Sequence, residues 1–394
     1  MTPPKLTIVA DAHIWGLESA FASLPGFDVE LRIIESRQIN HSALLNADVL
    51  ITRSSTRVDR KLLEGTPIRF VATATIGDDH YDKAWLEQNG IAWGNAAGSS
   101  TVSVVEYMLT LLLELHGRSL FEMEQSTLGV VGAGRIGSAL ALRCQALGVK
   151  LLLNDPPRQR DGDSELLPLE SLLESADIIT LHTPLNRDGP DSTFHLIDES
   201  FLRRFKGHGI INAARGACID NRALLEWLKE GSSRWAVLDC WENEPLVSRE
   251  LLAHPQLVIA TPHIAGHSLD GKAANTRFVY DKLCGFLSVS PTWREENDLP
   301  AAAVTRFDGC SGDSWRDLAA LTQQLYPLLQ DDAEMKSWLG LDDEGIKQAF
   351  SHYRRHYPVR RGWHVPQLSL APACDKLKRL ADKAGISLAG SADE

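Results

Sequence analysis

Three side chains have the types and the setting for acid–base chemistry on a small anion: Arg215, Glu244 and His263. Each follows a short apolar run that predicts a β-strand. A guanidinium binds a carboxylate through two parallel N–H bonds, and an imidazole exchanges protons near neutral pH. A carboxylate beside an imidazole fixes its tautomer and stabilises its protonated form. Together the three residues suit the oxidation of a 2-hydroxy acid, in which Arg215 holds the carboxylate and His263 takes the hydroxyl proton.

Each of these residues also has an ordinary explanation when it is taken alone. Arginines are usually surface residues, a histidine after a strand is open to a structural role, and Glu244 is open to being a loop charge. Because all three follow strands of one predicted nucleotide-binding domain, the catalytic interpretation is favoured over three separate coincidences.

A glycine-rich motif precedes them in the chain. Gly132-Ala133-Gly134-Arg135-Ile136-Gly137 follows an apolar run at residues 128–131 and opens a helical pattern. Such glycines let backbone N–H groups approach a pyrophosphate, and the helix N-terminus adds partial positive charge. Asp155, at the end of the next predicted strand, is placed to bind ribose hydroxyls and to repel a 2′-phosphate. NAD is therefore predicted as the cofactor, although the nearby Arg158 and Arg160 weaken the exclusion of NADP.

Small or polar residues at later strand ends extend the predicted cofactor site, because ligands of an open α/β sheet lie beyond the carboxyl ends of its strands. The cofactor-binding residues expected on this basis are Gly132, Gly134, Arg135, Ile136, Gly137, Asp155, Thr183, Ala213, Ala214 and Asp239. His182 is interpreted as a buried structural histidine in preference to a ligand.

The elements that position these residues belong to an α/β protein. Short apolar runs alternate with helical patterns, which predicts parallel sheets with crossover helices. Residues 98–265 are predicted to form a Rossmann-type NAD-binding domain, inserted in a flavodoxin-like α/β substrate domain of residues 1–97 that residues 266–288 complete. After a turn-rich linker, residues 300–385 are predicted to form a C-terminal α+β domain with its own core.

Composition limits the classes of function. The chain of 394 residues carries a formal net charge of -12 without Lys/Arg runs, which disfavours nucleic acid as a partner. No apolar segment is long enough for a membrane span, and the N-terminus does not read as a signal peptide. The six cysteines have neither C-x-x-C pairing nor zinc spacing, so no metal is expected. Scattered cysteines fit a reducing compartment, and a cytoplasmic location follows.

These motifs together resemble the D-isomer-specific 2-hydroxyacid dehydrogenase family. The resemblance covers about residues 45 to 285 and is carried by the G-x-G-x-x-G motif, Asp155-Pro156-Pro157, His182-Thr183-Pro184-Leu185, Asn212-Ala213-Ala214-Arg215-Gly216, Asp239-x-Trp241-Glu242-x-Glu244-Pro245 and His263-Ile264-Ala265-Gly266. It implies the roles given above to Arg215, Glu244 and His263, with His263 as the proton donor in the reducing direction. It also implies that Gly266 binds the cofactor, that Ser54 and Thr75 bind the substrate, and that the C-terminal domain forms a homodimer.

Further motifs resemble the members of the family that oxidise a phosphorylated 2-hydroxy acid, 4-phospho-D-erythronate, in vitamin B6 biosynthesis. They are Arg53-Ser54, Thr73-Ala74-Thr75-Ile76-Gly77-Asp78-Asp79-His80, Asp188-Gly189-Pro190 and Ser268-Leu269-x-Gly271-Lys272. A dehydrogenase for another small 2-hydroxy acid, such as 3-phosphoglycerate, and an NAD-sensing corepressor-type binding protein are the alternatives.

An acidic protein needs local donors to hold a phosphorylated substrate. Arg53 with Ser54, at a predicted strand end, is the first candidate for the phosphate. His267, which stands where the family commonly has a tyrosine, is the second. The basic stretch made of Arg354, Arg355, Arg360 and Arg361 is expected to be a solvated or interface-pairing face.

Overall fold

A computed structural model describes residues 2–357, 360–371 and 374–390 of the chain. Its strands are β1 (Lys5–Asp11), β2 (Asp28–Ile34), β3 (Val49–Thr52), β4 (Phe70–Thr73), β5 (Ala92–Asn95), β6 (Thr127–Val131), β7 (Lys150–Asn154), β8 (Ile178–Leu181), β9 (Gly209–Asn212), β10 (Trp235–Leu238), β11 (Leu257–Ala260), β12 (Thr305–Phe307) and β13 (Leu368–Leu370).

The α-helices alternate with the strands through most of the chain and follow one another near its end. They are α1 (Leu17–Phe21), α2 (His41–Leu44), α3 (Arg60–Leu63), α4 (Lys83–Gln88), α5 (Thr101–Gly117), α6 (Arg135–Ala146), α7 (Pro156–Arg160), α8 (Leu169–Ser175), α9 (Glu199–Arg204), α10 (Asn221–Glu230), α11 (Arg249–Leu252), α12 (Leu269–Leu287), α13 (Ser314–Leu325), α14 (Leu328–Ser337), α15 (Asp343–Arg355) and α16 (Asp375–Ala384). No helix within the described residues is both long and apolar enough to cross a membrane.

The chain divides into two compact units. Unit 1 comprises Met1–Ser100 with Ser268–Ala301, and unit 2 comprises Thr101–His267 with Ala302–Glu394. The change of unit near residue 100 and the return near residue 268 lie close to the predicted domain limits. Unit 1 extends to residue 301, beyond the predicted limit of 288, because the chain after α12 adds Trp293 to its core.

Unit 1 contains a five-stranded parallel sheet in the order β2-β1-β3-β4-β5. This order is the flavodoxin-like arrangement, as predicted. The strands β3 and β4 are buried along their whole length because apolar clusters cover both faces of the sheet. α12 packs on one of these faces through Val279, Tyr280 and Leu283. The helix after Ser268 thus completes this unit.

Unit 2 contains a six-stranded parallel sheet in the order β11-β10-β9-β8-β6-β7. The strand order reverses beside β6, because β7 lies on one side of it and the rest of the sheet on the other. Such a reversal is typical of doubly wound nucleotide-binding sheets and opens a crevice beyond the carboxyl ends of the strands. The Rossmann-type fold class predicted from the sequence is confirmed.

The C-terminal segment, of which the structure describes residues 302–357, 360–371 and 374–390, packs within unit 2 and does not form the separate core that the sequence predicts. Leu318 and Leu321 of α13 share one apolar cluster with α5, and Trp338 and Phe350 join the cluster on the other face of the sheet. The reason lies in α5, which is apolar nearly all round and therefore needs cover on more than the side that faces the sheet. The segment contributes helices α13–α16 and a two-stranded parallel sheet of β12 and β13.

The cysteines differ in part from the expectation of scattered thiols. Cys310 and Cys374 are joined in a disulfide, with 6.0 Å between their Cα atoms and 64 residues between them in sequence. Cys144, Cys218, Cys240 and Cys284 are free and buried. Within the described ranges, no group of three or more His, Cys, Asp or Glu side chains is arranged to hold a metal ion.

Candidate functional site

The glycine-rich turn lies where the strand order of unit 2 reverses. β6 ends at Val131, Gly132 follows with φ of 91°, and α6 begins at Arg135. Gly132 donates its N–H to the carbonyl of Asn154 at 2.8 Å, which keeps the turn against the end of β7. The motif therefore occupies the place where sheets of this type bind ligands.

Each glycine of the turn meets a different requirement. A Cβ at Gly132 would lie 2.8 Å from the carbonyl of His182, and a Cβ at Gly137 would collide with the carbonyl oxygen of Gly132. Gly134, the N-cap of α6, faces open space, since no described heavy atom lies within 4 Å of its Cβ position. No side chain caps this helix, so its first N–H groups are directed towards that space. These residues fit the pyrophosphate of NAD. Of the other two motif residues, Arg135 is exposed and Ile136 is half-buried.

Asp155 follows β7 and is the N-cap of α7, where its side chain accepts from the N–H of Arg158 at 3.3 Å. The guanidinium of Arg158 bonds to Asp163 and to the hydroxyl of Ser138, and Arg160 pairs with Asp191. Both arginines near the expected position of a 2′-phosphate are therefore engaged by protein acceptors.

The residues expected near the nicotinamide lie at the ends of β8, β9 and β10. Thr183 is half-buried, with its hydroxyl 3.5 Å from the sulfur of Cys218, and Ala213 and Ala214 are buried. His182 is buried and bonds to the hydroxyl of Thr180 at 3.1 Å, and burial lowers its pKa to about 4. A neutral structural histidine, as the sequence predicts, accounts for this environment.

Asp239 is buried, and its carboxylate is held by donors of the protein itself. Its carboxylate accepts from the hydroxyl of Thr261 and the N–H of Ile264, both at 2.7 Å, and from the N–H of Ala265 at 3.1 Å. Burial raises its pKa, although the charge of His263 and these three donors act in the opposite direction. Asp239 therefore shapes the loop that carries His263, and the cofactor contact expected of it stays a prediction.

Glu244 and His263 form a hydrogen-bonded pair. Oε1 of Glu244 lies 2.5 Å from Nδ1 of His263, and Oε2 accepts from the N–H of Trp241 at 3.1 Å. Burial disfavours the carboxylate, but the charge and hydrogen bond of His263, the charge of Arg354 and the Trp241 N–H outweigh it, so the pKa of Glu244 is lowered. The pair thus combines an ionised carboxylate with an imidazole that it orients.

His263 presents its second ring nitrogen away from this pair. Its backbone has φ of 55°, and its N–H donates to the carbonyl of Asp239 at 2.7 Å. With Nδ1 bound to Glu244, Nε2 has no hydrogen-bond partner within the part of the chain that the structure describes. An imidazole held in this way can exchange a proton with a ligand through Nε2.

Arg215 lies on the turn after β9, next to the loop that leads to Glu244. Its Nη1 donates to the carbonyl of Ala214 at 2.8 Å, and its own carbonyl accepts from the amide of Asn212 at 3.0 Å. A Cβ at Gly216 would collide with the carbonyl of Trp241, so glycine is required for the two loops to approach this closely. Arg215, Glu244 and His263 therefore follow three neighbouring parallel strands at one edge of the sheet.

The substrate-binding candidates of unit 1 lie at the carboxyl ends of its adjacent strands β3 and β4. Arg53 is half-buried and Ser54 is exposed directly after β3, while Thr75 follows β4. The hydroxyl of Thr75 lies 2.7 Å from that of Thr73 and donates to the carbonyl of Gly77. The structure thus brings Arg53, Ser54 and Thr75 to one edge of this sheet.

Lys272, in the first turn of α12, is a cation near Arg53 that the sequence argument did not assign to the site. Burial lowers the pKa of Lys272, and the charge of Arg53 lowers it further. Lys272 is part of the sequence motif Gly271-Lys272, but a lysine at this position did not by itself show that its charge would interact with that of Arg53.

The basic C-terminal stretch was wrongly expected to be a solvated or interface-pairing face throughout. Arg360 is buried and paired with Glu106 of α5. Arg354 donates to the carbonyl of His263 at 3.1 Å, and Arg355 is exposed as expected. The sequence held one signal of the pairing with Arg360. Glu106 lies inside the apolar helix α5, and a buried carboxylate needs a cationic partner.

His267 and Gly266 end the loop that begins at His263, and both are half-buried. The ring of His267 meets that of Tyr357 edge-on, with 5.7 Å between the ring centres. Its N–H donates to the carbonyl of Ile264 at 2.7 Å. The residue that stands in place of the usual tyrosine is thus packed against the C-terminal segment.

A second histidine–carboxylate pair, which the sequence argument did not identify, lies in the same unit. Nε2 of His195 is 2.5 Å from Oε1 of Glu242, and its Nδ1 is 4.0 Å from the carboxylate of Asp220. The His195 ring stacks on Phe194, with the ring centres 4.1 Å apart.

The chain is similar to known proteins over its whole length and over its NAD-binding region. Residues 113–265 match the model of the D-isomer specific 2-hydroxyacid dehydrogenase NAD-binding domain. Erythronate-4-phosphate dehydrogenase of Pseudomonas syringae pv. tomato is 41% identical over 379 residues, which cover 95% of this chain and 98% of the relative. The protein of that name from Salinibacter ruber is 40% identical over 91% of this chain and 92% of its own length.

Solved structures match the fold over nearly three quarters of the chain. NAD-dependent formate dehydrogenase of Staphylococcus aureus in complex with NAD is 27% identical, with a TM-score of 0.57 over 74% of this chain and 98% of its own. The NAD-bound 3-phosphoglycerate dehydrogenase of Entamoeba histolytica, 20% identical, has a TM-score of 0.60 over 72% of this chain and 96% of its own. Because the chain carries the glycine turn and matches these relatives over nearly its whole length, it belongs to the D-isomer-specific 2-hydroxyacid dehydrogenase family.

Proposed function

We propose that this protein oxidises 4-phospho-D-erythronate to 3-hydroxy-2-oxo-4-phosphooxybutanoate with NAD, a step of pyridoxal 5′-phosphate (vitamin B6) biosynthesis. The observation that carries the proposal is the 2.5 Å contact between Glu244 and His263, at the edge of the sheet that also holds the glycine turn. The relatives named erythronate-4-phosphate dehydrogenase, at about 40% identity over nearly the whole chain, support this substrate over others of the family.

The geometry of unit 2 supports a proposed role for each residue of the catalytic group. His263 takes the proton of the C2 hydroxyl on Nε2, and Glu244 stabilises the imidazolium that results. Arg215 binds the substrate carboxylate and polarises the C2 oxygen. NAD, held by the glycine turn and Asp155, would supply the hydride acceptor, so oxidation removes one proton and one hydride from the alcohol and leaves a ketone. In the reverse direction His263 donates the proton.

Substrate selection is assigned to Arg53, Ser54, Thr75 and His267. Arg53 is the proposed ligand of the phosphate, and the nearby cation Lys272 supports this because two neighbouring positive charges favour a doubly charged anion. Ser54 and Thr75 offer hydroxyls at the same edge of the unit 1 sheet. For cofactor binding, Asp155 and Gly266 complete the set that begins with the glycine turn.

A homodimer and a cytoplasmic location are part of the proposal. The dimer is proposed because the family resemblance implies it, and Val304, Leu329 and Leu341 are exposed apolar side chains of the C-terminal segment. Sedimentation of the full chain tests the dimer. Removal of the C-terminal segment by a cut near residue 290 is a poorer test, because it would also expose the apolar core that α13 shares with α5. The cytoplasmic location is proposed because the reaction belongs to NAD-linked metabolism. The cysteines support it less than the sequence suggested, because the Cys310–Cys374 disulfide is unusual in a reducing compartment. Fractionation of the cells tests it.

A substrate panel tests the function. 4-Phospho-D-erythronate, D-erythronate and 3-phospho-D-glycerate are each offered with NAD, and reduced cofactor is measured. The proposal expects the first to give the highest kcat/KM by a wide margin. A higher kcat/KM for 3-phospho-D-glycerate would mean that the proposed substrate is wrong and that 3-phospho-D-glycerate takes its place. NADH binding without turnover of any hydroxy acid would favour the corepressor-type alternative.

A further inference from the structure

The C-terminal segment donates hydrogen bonds to both ends of the loop that carries His263. Arg354, near the end of α15, donates through Nε to the carbonyl of His263 at 3.1 Å. Arg360 donates through Nη2 to the carbonyl of His267 at 3.3 Å. The loop of residues 263–267 is therefore bracketed by two guanidiniums that lie roughly ninety residues further along the chain.

The same segment also holds the strand that precedes this loop. β11 is the outer strand of the sheet, so one of its edges lacks a neighbouring strand. Asp332 of α14 accepts from the N–H of Ala260 at 2.8 Å, and Lys336 donates to the carbonyl of Val258 at 3.2 Å. α14 thus satisfies backbone groups along the free edge and fixes the starting point of the loop.

Arg360 is itself firmly anchored. Its guanidinium pairs with the buried carboxylate of Glu106 and lies 4.2 Å from the centre of the Tyr326 ring. The other oxygen of Glu106 accepts from the N–H of Trp363 at 2.7 Å. Removing either charge would leave the other buried and unpaired, which is costly, so changes at Arg360 report on folding as well as on the loop.

Arg354 is the better probe because it is only half-buried and its contact is to the catalytic histidine itself. His263 has φ of 55°, in the left-handed region that residues other than glycine occupy only when their surroundings enforce it. The N–H of His263 is held by Asp239, and its carbonyl is held by Arg354. The two bonds together fix the peptide units on either side of the imidazole.

We propose that Arg354 is a positioning residue of the reaction, which acts through the His263 carbonyl to hold Nδ1 against Glu244. This inference rests on the function proposed above. The charge of Arg354 also contributes to lowering the pKa of Glu244, so the arginine supports the pair electrostatically as well as geometrically. Catalysis in this chain thereby depends on a segment that lies outside the NAD-binding region of residues 113–265.

The test compares Arg354→Ala with Arg355→Ala, its exposed neighbour. Arg354→Ala should lower kcat roughly tenfold to a hundredfold, the effect of a lost charged hydrogen bond, with NADH affinity and thermal unfolding little changed. Arg354→Lys, which keeps a cationic donor, should recover part of the loss, and Arg355→Ala should match the unmodified enzyme. If Arg354→Ala does not fold, Arg354→Met retains the aliphatic stem and takes its place.

The pH profile separates positioning from a merely structural role. Without the positive charge of Arg354, the Glu244–His263 pair binds a proton more tightly, so the acid limb of kcat should move to higher pH. A fall in kcat without this shift, an unchanged kcat, or an equal loss in Arg355→Ala would overturn the proposal.

The activity readout uses whichever hydroxy acid the unmodified enzyme turns over best, so a different substrate leaves the comparison of variants intact. If no hydroxy acid is turned over, the proposed function fails on its own. The downfield proton resonance of the His263–Glu244 hydrogen bond then decides. Its presence in the unmodified chain and loss in Arg354→Ala support positioning, and its persistence in the variant contradicts it.

Discussion

Glu242 and Glu244, two residues apart in the chain, each form a hydrogen bond with a histidine. The two pairs differ in whether the second ring nitrogen of the histidine is available to a ligand. Both contacts measure 2.5 Å. The histidine side chains are 30% and 27% exposed, for His195 and His263 respectively, and both have positive φ. Neither solvent access nor backbone conformation therefore distinguishes them.

The second ring nitrogen does distinguish them. His195 has carboxylates near both nitrogens and stacks on Phe194, so its ring is occupied on two edges and one face. His263 has one nitrogen on Glu244 and follows the end of β11 by three residues, on the edge of the sheet where Arg215 also lies. A histidine–carboxylate pair thus becomes a candidate catalytic pair only when a free nitrogen faces the place where ligands bind.

The largest effect should come from removing the two imidazoles in turn. His263→Gln should lower kcat by roughly a hundredfold to ten-thousandfold, the usual contribution of a general base. His195→Gln should leave kcat essentially unchanged, because that ring has no role in the proton transfer. Steady-state kinetics of the two variants make the measurement. Comparable losses in both would erase the distinction between the pairs.

Glu244→Gln should lower kcat by about tenfold to a hundredfold, as expected for a lost charged hydrogen bond, and should move the acid limb to lower pH. The oxidation needs a neutral imidazole, and a neutral amide no longer stabilises the protonated ring, so the ring loses its proton at a lower pH. Glu242→Gln is the matched control and should leave the limb in place. An unmoved limb in Glu244→Gln would remove this carboxylate from the catalytic pair.

Arg53→Ala should raise KM for the phosphorylated substrate by roughly tenfold to a hundredfold, the effect of a lost charged hydrogen bond. It should scarcely affect D-erythronate, which lacks the phosphate, and should leave the acid limb where it is. Arg57→Ala, at an arginine whose side chain is 81% exposed, controls for the loss of charge. Equal weakening of both substrates would show that Arg53 does not bind the phosphate.

The smallest effect is expected at Asp155, where the cofactor ratio alone should change. Asp155→Ala and Asp155→Asn should both reduce the preference for NAD over NADP, on the order of tenfold for one lost charged contact. Only the alanine should also destabilise the chain, because asparagine still caps α7. Kinetics with both cofactors, beside thermal unfolding, measure the two effects. A ratio that stays the same in both variants would mean that Asp155 does not read the ribose.

The sequence was sufficient for the fold class and for the geometry around the glycine turn. Short buried strands, each followed by a polar or glycine-containing turn, place Gly132 and Glu244 at strand ends whatever the details of packing. The structure places Glu244 against His263 as predicted, while the catalytic roles of these residues stay predictions until the variants are measured.

What the sequence could not supply depends on contacts between distant segments. Asp239 follows a strand as the proposed catalytic residues do, but its carboxylate accepts from groups of the His263 loop and from Thr261. Only the positions of Thr261 and Ile264 in the structure reveal this. The contact from Arg354 to His263 requires the docking of α15, and no periodicity or motif encodes that docking. The Cys310–Cys374 pair is separated by 64 residues and is equally invisible to spacing arguments.

The central claim is tested most directly with 4-phospho-D-erythronate that carries deuterium at C2. Incubation with NAD should transfer the deuterium to the nicotinamide, and His263→Gln should suppress that transfer while His195→Gln permits it. Mass analysis of the reduced cofactor gives the answer. Reduced cofactor without deuterium, or equal transfer by His263→Gln and the unmodified enzyme, would contradict the account.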